Sequence, residues 1–246
     1  MNKNLDSNLC RRTIKNVLLM SRDKIHNLYS LDERFHISDG AYKQIEHMRI
    51  MNLASNLIIN PEIGDERHIA SDKMKISEII EKIMTETHAK IDLILEDPER
   101  MCERDVEAKI ANTRSGSLIG SIWSSWSDIY RKITNENDIY YKRFQEKPRL
   151  LDFYSMKIEM PFSIMNVEFS GTECQFNHVK VDLYSALLHN EDDRRSFIIW
   201  QKTDPDNYDF FTNNFDEIMK NSDLCRRVTM LMLQNWDNCW KNISST

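Results

Sequence analysis

Residues 76–99 read ISEIIEKIMTETHAKIDLILEDPE, and the fold class turns on whether that run is one helix. Ile76, Ile79, Ile80, Ile83, Ile91, Ile94 and Leu95 fall on the steps that line one face of an α-helix. This is the clearest 3.6-residue pattern in the chain, and it predicts a helix from 76 to 95. Ser71 or Asp72 can supply its N-cap acceptor. Asp97-Pro98-Glu99 then restarts a helix: a capping carboxylate, proline at the first helical position and an acid in the first turn. That second helix is expected to run through Val106 and Ile110 to about Asn112.

Working towards the N-terminus, Ile45, Met48, Met51, Leu57 and Ile58 also keep helical spacing until Asn60-Pro61 stops them. Ser38-Asp39-Gly40 breaks the chain before them. Ile14, Val17, Leu18, Ile25 and Leu28 suggest a first amphipathic helix. Working towards the C-terminus, residues 115–126 read SGSLIGSIWSSW. Gly116 and Gly120, four apart, let another part of the chain approach closely, with Trp123 and Trp126 supplying apolar area beside them.

The period changes at Tyr154. Met156, Ile158 and Met160 alternate with Lys157 and Glu159, which is strand spacing, and Pro161 ends that strand. Residues 162–169, 179–183 and 197–200 are further short strands. Asp204-Pro205 opens a turn or helix. Ser222 or Asp223 caps a last helix carrying Leu224, Val228, Leu231, Met232, Asn235 and Cys239 on one side. The expected fold is mainly α with a small antiparallel β-sheet in the C-terminal half, an α+β arrangement and not a β-sandwich. Residues 1–150 form the helical region and 151–246 the small sheet plus C-terminal helix, together one compact unit.

Composition narrows the function by exclusion. Five glycines and five prolines in 246 residues are too few for a barrel or sandwich of many tight turns. A net charge of −6 with scattered basic pairs (Arg11-Arg12, Arg194-Arg195, Arg226-Arg227) argues against nucleic acid as a partner. No stretch approaches 18 consecutive apolar residues, and MNKNLD at the start lacks the apolar segment of a secretory signal. Cys10, Cys102, Cys174, Cys225 and Cys239 form no C-x-x-C pair. Cys174 and His178 have the spacing of half a zinc site but lack two further ligands nearby. Lys157-Ile158-Glu159 and Lys180-Val181-Asp182 place an acid and a lysine on strand candidates in the reverse of the order a metal nuclease uses. There is no H-E-x-x-H, G-x-S-x-G, G-x-G-x-x-G or G-x4-G-K-[ST]. The expectation is a non-enzymatic protein without metal or cofactor.

About 245 residues, no tail, no catalytic motif, many Trp, Tyr and Met residues and unpaired cysteines together resemble the viral occlusion-body proteins, or polyhedrins. The nearest kind is the mainly helical polyhedrin of the nudiviruses. The resemblance implies a structural protein that assembles with itself into a crystal around virions in the infected nucleus. It implies lattice contacts through Trp123, Trp126, Trp236 and Trp240, and intermolecular disulfides drawn from Cys10, Cys102, Cys174, Cys225 and Cys239. It also implies exchange of an N-terminal helix, roughly residues 1–30, between neighbours. Alkali would dissolve such a lattice, because lysines lose charge near pH 10.4 and tyrosines gain it near 10. A helical nucleoprotein or matrix-like RNA-binding module, and less readily a metal-dependent nuclease, are the alternatives.

Overall fold

The computed structural model describes residues 20–21, 41–52, 76–99, 115–158, 162–171, 176–183 and 195–244. The deciding stretch is two elements, not one. Helix α1 (Ile76–Glu86) gives way to strand β3 (Lys90–Glu96) across Thr87-His88-Ala89. Thr87 ends the helix. Its hydroxyl donates to the Ile83 carbonyl at 2.7 Å and accepts from the Ala89 amide at 3.1 Å. Arg143, buried in a later helix, donates to the carbonyls of Met84 and Thr87. The last carbonyls of a helix have no partner inside it, and these two side chains supply them.

Beyond Thr87 the run Ile91-Asp92-Leu93-Ile94-Leu95 is buried throughout. A strand covered on both faces reads as a continuous apolar run rather than an alternation. Ile91, Ile94 and Leu95 therefore fit a helical period without forming a helix. The same correction applies to Ile45, Met48 and Met51. They lie on strand β2 (Ile45–Asn52), where Met48 to Met51 are all buried.

The remaining strands are β1 (Met20–Ser21), β4 (Leu151–Met156), β5 (Phe162–Phe169), β6 (His178–Leu183), β7 (Arg195–Trp200) and β8 (Cys225–Arg227). All eight join one mixed sheet in the order β1-β7-β6-β5-β2-β3-β4-β8. Strands β2, β3 and β4 are parallel, and every other neighbouring pair is antiparallel. The expectation of a mainly α chain with a small C-terminal antiparallel sheet is thus overturned. A large central sheet with parallel strands and helices on both faces is an α/β architecture.

The sheet also runs across the expected boundary near residue 150, since β2 and β3 pair with β5 and β4. Met20 and Ser21, placed mid-helix by the sequence pattern, pair with β7. Residues 1–19 and 22–40, which include the rest of that expected helix, lie outside the described residues.

The other helices are α2 (Ser115–Thr134), α3 (Ile139–Gln145), α4 (Pro205–Lys220) and α5 (Met230–Ser244). The last helix begins later than Ser222 because residues 225–227 form the edge strand. Helices α1, α2, α3 and α5 cover one face of the sheet, where Ile83, Trp126, Phe144 and Trp236 meet Leu93, Phe153 and Val167. Helix α4 covers the other face, where Tyr208 and Phe215 join Met51, Ile94 and Val181. Asp204-Pro205 opens α4 as a helix: the Asp204 carboxylate caps the Asn207 amide, and Asp206 sits in the first turn. Gly120 on α2 faces Trp240 on α5, whose Cη2 lies 3.9 Å from where a Cβ would stand. Among the described residues no helix is long and apolar enough to cross a membrane.

Candidate functional site

On strands β2 to β5 the residues facing α4 are largely polar. His47 and Arg49 alternate with Met48 and Ile50. Asp92 interrupts the apolar run of β3, Asp152 and Tyr154 lie on β4, and Asn166 and Glu168 lie on β5. Register brings them together: Arg49 is opposite Asp92 and Asn166, His47 is opposite Glu168, and Asp92 is opposite Asp152.

Asp92 is the centre of this group. Its side chain is 1% exposed, and its Oδ2 lies 2.7 Å from His47 Nε2 and 3.0 Å from Lys90 Nζ. Burial alone would raise its pKa. The hydrogen bond from His47, followed by the charge and hydrogen bond of Lys90, outweighs burial and holds the carboxyl below its ordinary value. With Asp92 ionised, Nε2 carries the proton that it donates, and in the neutral imidazole Nδ1 of His47 then keeps the lone pair. Nδ1 lies 3.8 Å from Glu168 Oε2, and the imidazole remains 23% exposed.

Arg49 ties the sheet to α4. One terminal nitrogen donates to Asp216 on α4 and the other to Glu168 on β5. The Phe215 ring lies 5.4 Å from the guanidinium carbon. Asp152 pairs with Arg227 of the edge strand at 2.5 Å and with Arg149 at 3.7 Å. Burial and the charges of Asp92 and Asp152 push Tyr154 up to about 12. Burial also raises Tyr140 and Tyr208, so these three tyrosines do not gain charge near pH 10 as the ordinary value predicts.

A second ionic group sits at the carboxyl end of β3. Arg226 Nη2 donates to Asp97 Oδ2 at 2.8 Å and Glu99 Oε2 at 2.7 Å, and its Nε donates to the Ser155 hydroxyl at 3.2 Å. Trp236 Nε1 donates to the other Glu99 oxygen at 2.9 Å. Asp97 also accepts from the Glu99 amide at 3.0 Å, the cap expected of Asp97-Pro98-Glu99. Every group named here is matched, and the arrangement fastens β8 and α5 to the end of β3.

The residues singled out in the sequence lie elsewhere. Trp123, Trp126 and Trp236 are buried in the chain's own core, and Trp240 is half-buried against it. A ring enclosed by its own protomer has little surface to offer a neighbour, so three of the four expected lattice anchors act in the fold instead. Cys225 is buried with its thiol pushed up to about 11 by burial, while Cys239 is exposed; both are free thiols. Cys10, Cys102 and Cys174 lie outside the described residues. Lys157 is exposed and donates to the Ser222 carbonyl at 3.0 Å, and Lys180 is buried. Among the described residues no three His, Cys, Asp or Glu side chains come together as metal ligands.

Sequence reasoning missed His47, Arg49, Asp92, Asp152 and Glu168. The available signal was a lone carboxylate inside the apolar run of residues 91–95, and polar residues at every second position of 47–50. No protein-family model, curated protein or solved structure matches the chain.

Proposed function

We propose that this chain performs acid–base chemistry on a small polar substrate at the face between β2–β3 and α4, with His47 as proton acceptor and Asp92 as its orienting carboxylate. One observation carries the reading: a 2.7 Å contact joins a fully buried carboxylate to an imidazole that still reaches solvent. A carboxylate fixed on one ring nitrogen sets the tautomer and leaves the other to take a proton. A proton taken at Nδ1 arrives 3.8 Å from Glu168, which stabilises the new charge.

Hydrolysis of p-nitrophenyl acetate is the test. A positioned general base contributes roughly 100-fold or more. His47→Gln should therefore lower the rate of ester cleavage by about 100-fold with an unchanged far-ultraviolet circular dichroism spectrum. His88→Gln, at an exposed histidine before β3, should leave the rate alone. Equal rates for wild type and His47→Gln overturn the proposal.

A second reading is self-assembly into the occlusion lattice of an infected nucleus that the sequence resemblance implies. What supports it is exposed apolar side chains on helices of opposite layers: Phe210 on α4, 46% exposed, and Leu231 on α5, 66% exposed. Contacts between unlike patches on opposite sides of a protomer repeat head to tail and need not close. Cys239, exposed on the same helix as Leu231, is then the thiol placed to bridge neighbours. Under this reading, expression in insect cells yields particles with sharp powder-diffraction rings, and Phe210→Asp with Leu231→Asp abolishes them. A monodisperse wild-type product sinks it.

A further inference from the structure

Among the described residues, two polar atoms at the His47–Asp92 pair have no partner, although both are buried. Arg49 uses its terminal nitrogens on Asp216 and Glu168, but its Nε has no hydrogen bond. Asp92 uses Oδ2 on His47 and Lys90, but its Oδ1 has none. The two residues are direct partners in the parallel ladder of β2 and β3, so their side chains leave the same face of the sheet side by side. Buried donors and acceptors are nearly always paired, and an orphan of each kind on neighbouring residues calls for explanation.

We propose that Arg49 Nε and Asp92 Oδ1 hold one hydroxyl group of the substrate, which makes the ligand a small hydroxylated molecule. This rests on the acid–base site proposed above and specifies what that site receives. The chemistry selects the group. A hydroxyl oxygen accepts from the Arg49 N–H while its own hydrogen donates to Asp92. An ether accepts but cannot donate. A carboxylate or a fully ionised phosphate has no proton for Oδ1, and both meet the charge of Asp92. An ammonium donates to Oδ1 but has no lone pair for Nε. A hydroxyl held here hydrogen-bonds the carboxylate that orients His47, which places the substrate beside the base. Sites that bind a substrate hydroxyl between buried polar groups discriminate strongly against analogues without it.

The experiment titrates the full chain with D-ribose, ethylene glycol and 1,2-dimethoxyethane, following the Cε1–H resonance of His47 by NMR. Ribose and ethylene glycol should give saturable shifts. Dimethoxyethane, which lacks the donor, should need at least tenfold more ligand or give no saturation. Asp92→Asn should abolish the ribose response. If that variant does not fold, a wild-type crystal soaked in ribose should show a sugar hydroxyl between Arg49 Nε and Asp92 Oδ1. No saturable shift with either hydroxylated probe, an equal response to the ether, or only water at that position in the soaked crystal would overturn the hydroxyl site. Ester hydrolysis that still depends on His47 would then show that the acid–base reading survives without it. Ribose binding with hydrolysis independent of His47 would uphold the hydroxyl site and remove the acid–base role.

Discussion

Trp126→Ala should remove a large share of the stability of this protein, about 5 kcal/mol. The indole is fully buried between the sheet and α5, with its ring centroid 4.9 Å from that of Trp236. Truncating a buried Trp or Phe to Ala costs about 3–5 kcal/mol. The Trp126 Nε1–H also donates to the Glu96 carbonyl at 2.9 Å, at the end of β3 where the helix restart begins. Removing that donor takes away one partner of a buried carbonyl, which adds about 1 kcal/mol or more. Native domains hold only about 5–15 kcal/mol in total. Urea unfolding followed at 222 nm measures the loss. Where Trp126→Ala does not fold, Trp126→Phe keeps one aromatic ring while losing the N–H and the second ring, and should cost about 1–3 kcal/mol. A Trp126→Ala chain within about 1 kcal/mol of wild type would show that the α2–α5 layer does not depend on this ring.

The position of Trp126 also shows what the sequence made legible and what it did not. Trp123 and Trp126 stood out as large apolar area beside Gly120, and that neighbourhood is the α2–α5 contact. The sequence alone does not say whether such rings face the chain's own core or another molecule, because both environments select aromatics. Residues 162–169 and 197–200 were recognisable as strands, and Asp204-Pro205 as the opening of a turn or helix, because alternation and capping are local signals; the second strand starts two residues earlier, at Arg195. Strands β2 and β3 were not. Covered on both faces, β3 loses the alternation that marks a strand, so Ile91, Ile94 and Leu95 mimic a helix face; in β2 the steps of Ile45, Met48 and Met51 also fit a helix and mask the short alternation over 47–50.

The candidate site was hidden for the same reason. Its residues lie on five segments, β2, β3, β4, β5 and α4, and they meet only through the register of the ladder. Asp92 is 45 residues from His47, and Asp216 is 167 from Arg49. Neither separation carries a local pattern. No rule of spacing can assemble them before the sheet order is known. A correct reading of Ile91-Asp92-Leu93 as a strand would still have flagged one point. A carboxylate in a doubly covered strand must be paired, so a cation or imidazole on a neighbouring strand is required.

Lowering the pH from 7 to 4.5 should cost this protein about 2.5 kcal/mol through one residue, His178. His178 is buried on β6, its ring 4.8 Å from that of Trp200, and its Nδ1 lies 2.8 Å from the Phe176 carbonyl. Burial pushes its pKa down to about 4; the hydrogen bond to Phe176 opposes that shift and the charge of Lys180 adds to it. In the unfolded chain the imidazole returns to about 6.5. Between those values the unfolded state binds more protons than the folded one, so stability falls as pH falls. The contribution is complete above pH 6.5, declines through the window down to 4 and is flat below it. Asp92 and Glu99 act in a lower window. Their carboxyls are held below the ordinary value in the fold, so the stability they supply is present above the unfolded carboxylate range near 4 and is lost as pH falls further. Urea midpoints at pH 7, 6, 5 and 4.5 separate the two effects. His178→Leu, which cannot take a proton, should flatten the profile between 6.5 and 4.5 even if it is less stable at pH 7 through loss of the bond to Phe176. A variant that keeps the wild-type slope would place the proton uptake elsewhere, on a group whose charge the fold also excludes.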